Sequence, residues 1–478
     1  MKWLCRYVLL FLITFCINYT SAQQKQEQEE MFADAPILGQ TRVTIRNVII
    51  TGNKITKKYI VLRELPFEIG KTYSISDVLI GLQTGRQNIM NTTLFVSASL
   101  NFTNWYNDSM DIYIDVKERW YYIALPFFRP IDRNWNVWLK DYSLSLDRVN
   151  YGLKFLGKNI SGRNDRLNIW ATNGYSRRLA FNYYNPFSDK TLRHGFGFDF
   201  SYLQNKELNY TTLNNKQQFF KDDNNFLRQQ LYAGLMYSYR RGSVERHYVK
   251  VGYQAESIAD TVLALNPDYY LDGRQKVSFP EIKYTYNNYD LNYIPYPTRG
   301  KIIELEFTKR GFNKNMNLWQ LYFKYGHYFT LPKKIYVSSI LETHLRLPFD
   351  QPFLNQPMLG YGESFLRGLE YYVIDGVAGG FVRNTIGKEI LNYKLKTSLK
   401  SKAYETIPFR FYLKLYSDAG IVYNKNNINT NFLTNKMMYT GGIGLDIISI
   451  YDIVIRLEYS FNNLREHAFY VHKTDIKN

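Results

Sequence analysis

The chain has 478 residues, 45% of them hydrophobic and 17% aromatic, with 43 Tyr, 31 Phe and a formal net charge of +18. That length exceeds one small domain and that aromatic content exceeds the needs of an ordinary globular core. A mean hydropathy of −0.36 excludes a bundle of membrane helices, but not a barrel, which shows only every second residue to lipid.

Residues 4–19 form a long apolar run with Lys2 and Arg6 at its start and Ser21-Ala22-Gln23 after it, the pattern of a signal peptide spanning residues 1–22. Both cysteines, Cys5 and Cys16, fall inside it, so the mature chain is expected to hold neither disulfides nor thiolate metal sites. Acylation of Cys16 is disfavoured because Thr14 and Phe15 stand where a lipoprotein signal needs small residues. An exported chain rarely meets nucleic acid, so the positive charge is assigned to a basic lumen or to contacts with anionic lipid headgroups. Residues 23–41 are polar, with Glu27, Glu29 and Glu30, and read as a flexible tether.

From residue 42 to 118 the pattern is that of a small α+β domain. Residues 43–50 read as a strand, Thr51-Gly52-Asn53-Lys54 as a turn, 56–65 as a helix capped by Thr56, and 76–90 as a second helix with Asp77 in its first turn. Residues 94–102 and 110–117 alternate as two strands joined by a polar turn.

Beyond Arg119 the chain turns into repeated alternating segments of about ten residues. In 452–461, Ile453, Ile455, Leu457, Tyr459 and Phe461 share one face of a strand, and Asp452, Arg456, Glu458 and Ser460 the other. Sixteen such segments run from 120–128 to 466–474, and 137–146 could add or shift one. The expected fold is an all-β transmembrane barrel of about 16 antiparallel strands over residues 119–478, preceded by the one small α+β domain. In a meander with both ends in the periplasm, connections after odd strands are external and can be long. The long polar connections 205–228, 256–279, 348–381 and 424–436 all follow odd strands, whereas 240–244, 330–334 and 449–451 follow even strands and are tight.

Enzyme chemistry finds little support. Gly362-Glu363-Ser364-Phe365-Leu366 approaches a nucleophile elbow, but Leu366 stands where its second glycine belongs, and the strand-to-helix context is missing. His467 and His472 are the closest histidine pair, and their spacing puts them on opposite faces of a strand. No enzymatic activity, cofactor or metal is expected.

In the first domain, Val48-Ile49-Ile50-Thr51-Gly52-Asn53-Lys54, Leu62-Arg63-Glu64-Leu65, Gly70 and Asn91-Thr92-Thr93-Leu94-Phe95 resemble a POTRA domain. In the barrel, Gly360-Tyr361-Gly362-Glu363-Ser364-Phe365-Leu366-Arg367-Gly368 resembles the sixth loop of BamA/TamA-type outer-membrane proteins, with Leu369 in place of an aromatic residue. Tyr416-Ser417-Asp418-Ala419-Gly420 resembles the family's Asp-x-Gly wall motif. Turns at Asn159-Ile160-Ser161-Gly162, Tyr184-Asn185-Pro186-Phe187 and Pro297-Thr298-Arg299-Gly300 extend the resemblance along nearly the whole mature chain. This chain departs from the family in having room for one POTRA domain and in ending Thr474-Asp475-Ile476-Lys477-Asn478 rather than on an aromatic residue.

The resemblance implies that loop 348–381 folds back into the barrel, where Arg367, with Leu366 and Gly368, pairs with Asp418 beside Gly420. Alternation agrees, because Phe409, Phe411, Leu413 and Leu415 take one face and leave Arg410, Lys414 and Asp418 for the lumen. It also implies that the POTRA domain receives unfolded clients by strand addition, for which Val43, Ile45, Val48 and Ile50 are the candidate strand. The expected function is assistance to insertion, assembly or translocation of proteins at the outer membrane of a diderm bacterium, with the POTRA domain in the periplasm. Its expected partners are unfolded outer-membrane or secreted clients, periplasmic chaperones or accessory lipoproteins, and outer-membrane lipid. The alternative is a passive porin or surface receptor with a periplasmic anchor.

Overall fold

The protein is described by a computed structural model over residues 41–130, 149–362, 364–397, 406–425 and 431–474. Its contacts divide the described residues into a small unit, up to Asn53 and from Val61 to Lys117, and a large unit of Lys54–Ile60 and the residues from Glu118 onward.

In the small unit, β1 (Arg42–Thr51), β2 (Thr72–Ser74), β3 (Phe95–Tyr106) and β4 (Ser109–Glu118) form one sheet in the order β2-β1-β4-β3. β1 begins with Val43 and Ile45 facing the core, and a bulge between Ile45 and Asn47 then moves the buried position to Ile50. Helix α1 (Lys58–Leu62) is shorter than the sequence pattern suggested, and α2 (Ile75–Asn91) is longer. α2 starts where the Ser74 hydroxyl accepts from the Asp77 amide, and it buries Val78, Leu82 and Ile89. A Cβ on its Gly81 would lie 2.4 Å from the Phe67 ring, so glycine is what lets the helix approach the preceding turn.

The large unit is one antiparallel sheet of 16 strands in chain order. The first five are β5 (Tyr122–Pro130), β6 (Val149–Lys158), β7 (Arg166–Gly174), β8 (Ser176–Asn185) and β9 (His194–Asn205). A separate hairpin, β10 (Glu207–Leu213) with β11 (Lys216–Lys221), then leaves the wall. The wall resumes with β12 (Arg228–Tyr239), β13 (Glu245–Ile258), β14 (Lys276–Leu291), β15 (Gly300–Asn313), β16 (Met316–Leu331) and β17 (Ile335–Leu347). After the short pair β18 (Pro357–Leu359) and β19 (Ile374–Asp375), it finishes with β20 (Ala378–Lys396), β21 (Thr406–Tyr423), β22 (Met438–Ile448), β23 (Val454–Asn462) and β24 (His467–Thr474).

All sixteen wall strands overlap the sixteen alternating segments of the sequence. Residues 137–146 lie outside the described residues. The burial is inverted relative to a soluble sheet: on β21, Leu413 and Leu415 are 46% and 59% exposed while Lys414 and Asp418 are each 3% exposed. Leu341, Ile443, Ile455 and Phe461 are likewise exposed beside buried Glu342, Asp446 and Glu458. Apolar side chains turned outward around a polar interior need lipid as their solvent, and the wall is a transmembrane β-barrel.

Both ends of the wall carry buried clusters. Where the long connections emerge, Leu208, Leu227, Ile258, Val262, Tyr270 and Phe279 pack together, with Val262 supplied by α3 (Asp260–Leu265). At the end of the short connections, Tyr296, Tyr336 and Tyr412 pack with Ile448 and Val454.

Candidate functional site

The connection from β17 to β20 supplies the site. Arg346, at the end of β17, gathers its two limbs by donating to the carbonyls of Asn355 at 2.7 Å, Pro357 at 2.7 Å and Gly376 at 3.1 Å. A turn at Gly360, φ 86°, is closed by its amide bonding the Ser364 carbonyl at 2.8 Å. Ser364, proposed by motif as a nucleophile and rejected, donates to the Glu342 carboxylate on the wall. The same Glu342 oxygen lies 3.4 Å from His344 Nε2, so Ser364 joins the loop to a polar pair on β17.

Arg367 is 8% exposed. Its Nε donates to Asp418 Oδ2 at 2.9 Å, its second terminal nitrogen bonds Asp418 Oδ1, and its own backbone amide bonds Oδ2 at 3.2 Å. The remaining guanidinium donors reach Thr385 Oγ1 at 3.0 Å and the Asn384 carbonyl at 3.2 Å on β20, and the group lies 4.1 Å from the Tyr416 ring centre. A planar fork with five donors can satisfy all of these at once, whereas an ammonium cannot. Arg383, opposite Asp418 in the β20–β21 ladder, stands 4.0 Å from the same carboxylate and bonds the Phe365 carbonyl.

The neighbouring motif residues have steric roles. Leu366 and Leu369 are each 2% exposed in an apolar cluster with Met358, Phe381, Val422 and Met438. A Cβ at Gly420 would lie 3.1 Å from Leu366 and 3.0 Å from Phe381, so the glycine makes room for the loop against the wall. Gly368 has φ 93°, and a Cβ there would lie 3.0 Å from Ser460. Arg367, Gly368, Leu366, Asp418 and Gly420 are thus brought together.

The hairpin β10–β11 covers the loop. Its turn, Asn214-Asn215, has φ 54° and 55°. The Asn215 side chain donates to the Val373 carbonyl at 3.1 Å and accepts from the Leu433 amide at 2.8 Å, while its amide bonds Asn431 at 2.9 Å. Sequence reasoning missed these contacts and those of Arg383, Thr385 and Tyr416; an Asn-Asn pair in a polar connection signals a tight turn, but not what the turn touches.

Glu370, Glu458 and His472 form the one group of three or more His, Cys, Asp or Glu among the described residues whose ligand atoms lie within 4.8 Å of one another. Lys414 at 2.7 Å from Glu458 already supplies a counter-charge there.

In the small domain, the expectation that Val43, Ile45, Val48 and Ile50 present a docking edge needs correction for Val43 and Ile45. β1 pairs with β4 along Thr44–Thr51 but with β2 only over Arg42–Thr44, so Val43 and Ile45, both fully buried, are enclosed, while Val48 and Ile50 have a ladder partner on the β4 side, with Ile50 9% exposed. The sheet ends at β2, three residues long, and at β3, twelve residues long, so β3 carries the long edge. Phe102, Trp105 and Tyr106 are exposed on it. Arg46 holds Asp111 with two bonds of 2.9 and 2.8 Å. These bonds, with one from Asn104, keep the Asp111 carboxyl below its ordinary pKa.

The fold and the site define an outer-membrane-type barrel with a small α+β domain and an inward-folded, arginine-locked loop. Residues 159–467 match the Omp85 superfamily domain. Residues 43–119 match the POTRA description, surface antigen variable number repeat. The chain therefore belongs to the Omp85 superfamily. Among solved structures it is similar to CdiB from Escherichia coli, with 11% identity, TM-score 0.52, and 90% of this chain and 75% of that chain covered. It is also similar to BamA from Haemophilus ducreyi lacking POTRA domains 1–3, with 14% identity, TM-score 0.46, and coverage of 90% and 83%. No curated protein sequence matches it.

Proposed function

We propose that this protein assists the insertion or translocation of client proteins at the outer membrane, with its POTRA domain in the periplasm and its long connections outside. The carrying observation is the Arg367–Asp418 pair, which seats a loop inside the space a porin would leave open to solute. A buried guanidinium that ties the loop to β20 and β21 gives it one defined seat on the inner wall. Membership of the Omp85 superfamily and the long POTRA edge at β3 support the same reading. That edge offers unpaired backbone for strand addition, a mode that needs little from side chains and suits clients of varied sequence. In this reading no nucleotide or ion drives the process; the barrel lowers the barrier by offering a strand edge within a locally disturbed bilayer.

Depletion of the protein, followed by quantification of all other outer-membrane and secreted proteins, tests this. A selective loss of clients that wild-type protein restores and the Arg367→Ala variant does not is the expected result. An unchanged client profile, together with stable wide conductance by the purified barrel, would overturn it in favour of a porin.

A further inference from the structure

The inward loop is bonded to two separate parts of the wall. On one side Arg367 reaches Asp418 on β21 and Thr385 and Asn384 on β20. On the other, the same short stretch meets the terminal hairpin of β23 and β24. Asn462 donates to the Gly368 carbonyl at 2.8 Å, and the Tyr372 hydroxyl donates to Glu466 at 2.7 Å. The Phe365 ring stacks on His472 with centres 5.1 Å apart, and Tyr371 meets Tyr470 at 5.5 Å. His472 Nε2 lies 3.3 Å from Glu370 on the loop and 3.4 Å from Glu458 on β23.

Behind His472 the contacts continue across the wall. Lys414 lies 2.7 Å from Glu458 and 2.5 Å from Asp446, and Asp446 accepts from the Tyr296 hydroxyl at 2.8 Å. β24 is the terminal strand of the sheet and, at eight residues, the shortest wall strand among the described residues; its ladder to β23 is eight pairs long. Few backbone bonds hold such a strand, so side-chain ties weigh more in its retention than in that of a central strand.

We infer that residues 365–372 act as a strut, and that Glu370 and His472 are positioning residues through which the seated loop holds β24 in the wall. Unseating the loop removes the stacking and hydrogen-bonded partners of β24 together, so loop position and freedom of the last strand become one equilibrium. This rests on the proposed function in one respect only, that a freed last strand is what a client would meet.

Hydrogen exchange of the full purified chain in lipid nanodiscs, without any client, reads the strut directly. In a Glu370→Gln, His472→Ala variant, which leaves Arg367 and Asp418 intact, exchange across 467–474 should rise tenfold or more while that of 335–347 stays unchanged. Unchanged exchange across 467–474 in that inserted variant would overturn the inference. Independently, a disulfide from Tyr371→Cys with Tyr470→Cys, with Cys5 and Cys16 replaced by serine, should keep 467–474 protected even when Arg367 is changed to alanine. Equal exchange with and without the disulfide would also overturn it. Neither readout involves a client, so failure of the strut is distinct from failure of the assembly function, which is read from client levels.

Discussion

Replacing Arg367 with alanine leaves Asp418, whose side chain is fully buried, without its two-pronged partner. Removing one member of a buried ion pair costs about 3–5 kcal/mol, chiefly because the survivor's charge is stranded. The nearby Arg383, 4.0 Å from the same carboxylate, retains part of the compensation. The loss is therefore set at about 2–3 kcal/mol, within the range for hydrogen bonds to charged groups. At about 1.4 kcal/mol per tenfold, the ratio of unseated to seated loop rises about 30- to 150-fold. A cysteine placed at Leu369, 2% exposed, reports this against a reference chain carrying the same cysteine, because a bulky maleimide reaches that position when the loop leaves the wall. Labelling in the Arg367→Ala background should accelerate by that factor, and Arg367→Lys should fall between, since an ammonium cannot reproduce the paired bonds to Asp418 together with those to Thr385 and Asn384. Labelling no faster than in the reference chain, or full rescue by lysine, would refute the assignment of Arg367 as the anchor.

Gly368→Ala should unseat the loop by about 1–3 kcal/mol, read with the same label, because a left-handed backbone and a 3.0 Å approach to Ser460 both resist a Cβ. Asn215→Ala removes the bonds to Val373 and Leu433 and should make the β10–β11 hairpin cleavable by added protease, leaving the wall intact on a gel. The depressed Asp111 carboxyl gives the POTRA fold stability that is present above the unfolded pKa of about 3.9 and is lost as pH falls through the lower folded value. Exchange protection of β1 and β4, corrected for intrinsic rate, should therefore drop below about pH 4 in the wild type, and Asp111→Asn should abolish that part of the pH dependence.

Alternation showed all sixteen wall strands because one face meets lipid and the other meets a charged lumen, so the period-two signal is strong in every strand. It failed at the strand ends. β13 runs to Ile258 and β14 starts at Lys276, adding Glu256, Ser257 and Lys276 to the sheet. There the backbone ladder continues while no lipid sorts the side chains, so hydropathy stops alternating before hydrogen bonding does. The lumen face of Asp418 was readable from its even position among Leu413 and Leu415, but its neighbour Arg383 was not. That pairing depends on the register of β20 against β21, including the bulge between Glu389 and Leu391, which no local pattern encodes. The edge of the small domain was misplaced for a similar reason. Val43, Ile45, Val48 and Ile50 mark a strand with an apolar face, and only the β2-β1-β4-β3 order and the short β1–β2 ladder show that its first part is enclosed.

The lumen holds its charges in matched sets: Arg367 with Asp418, and Lys414 with Asp446 and Glu458. Buried pairs of this kind contribute little net stability compared with apolar residues of equal volume, but a broken pair is costly. Such an arrangement penalises intermediate positions of the loop, because a half-withdrawn Arg367 leaves Asp418 stranded without yet gaining full solvation itself. The loop is thus favoured fully seated or fully released, with the apolar contacts of Leu366 and Leu369 lost in the same step. A pore lined with hydrophobic residues could hold a loop as tightly, but it would let it slide. Charged locks favour two states over a continuum, and under the proposed function two states would let the barrel keep its loop seated at rest and release it to a client.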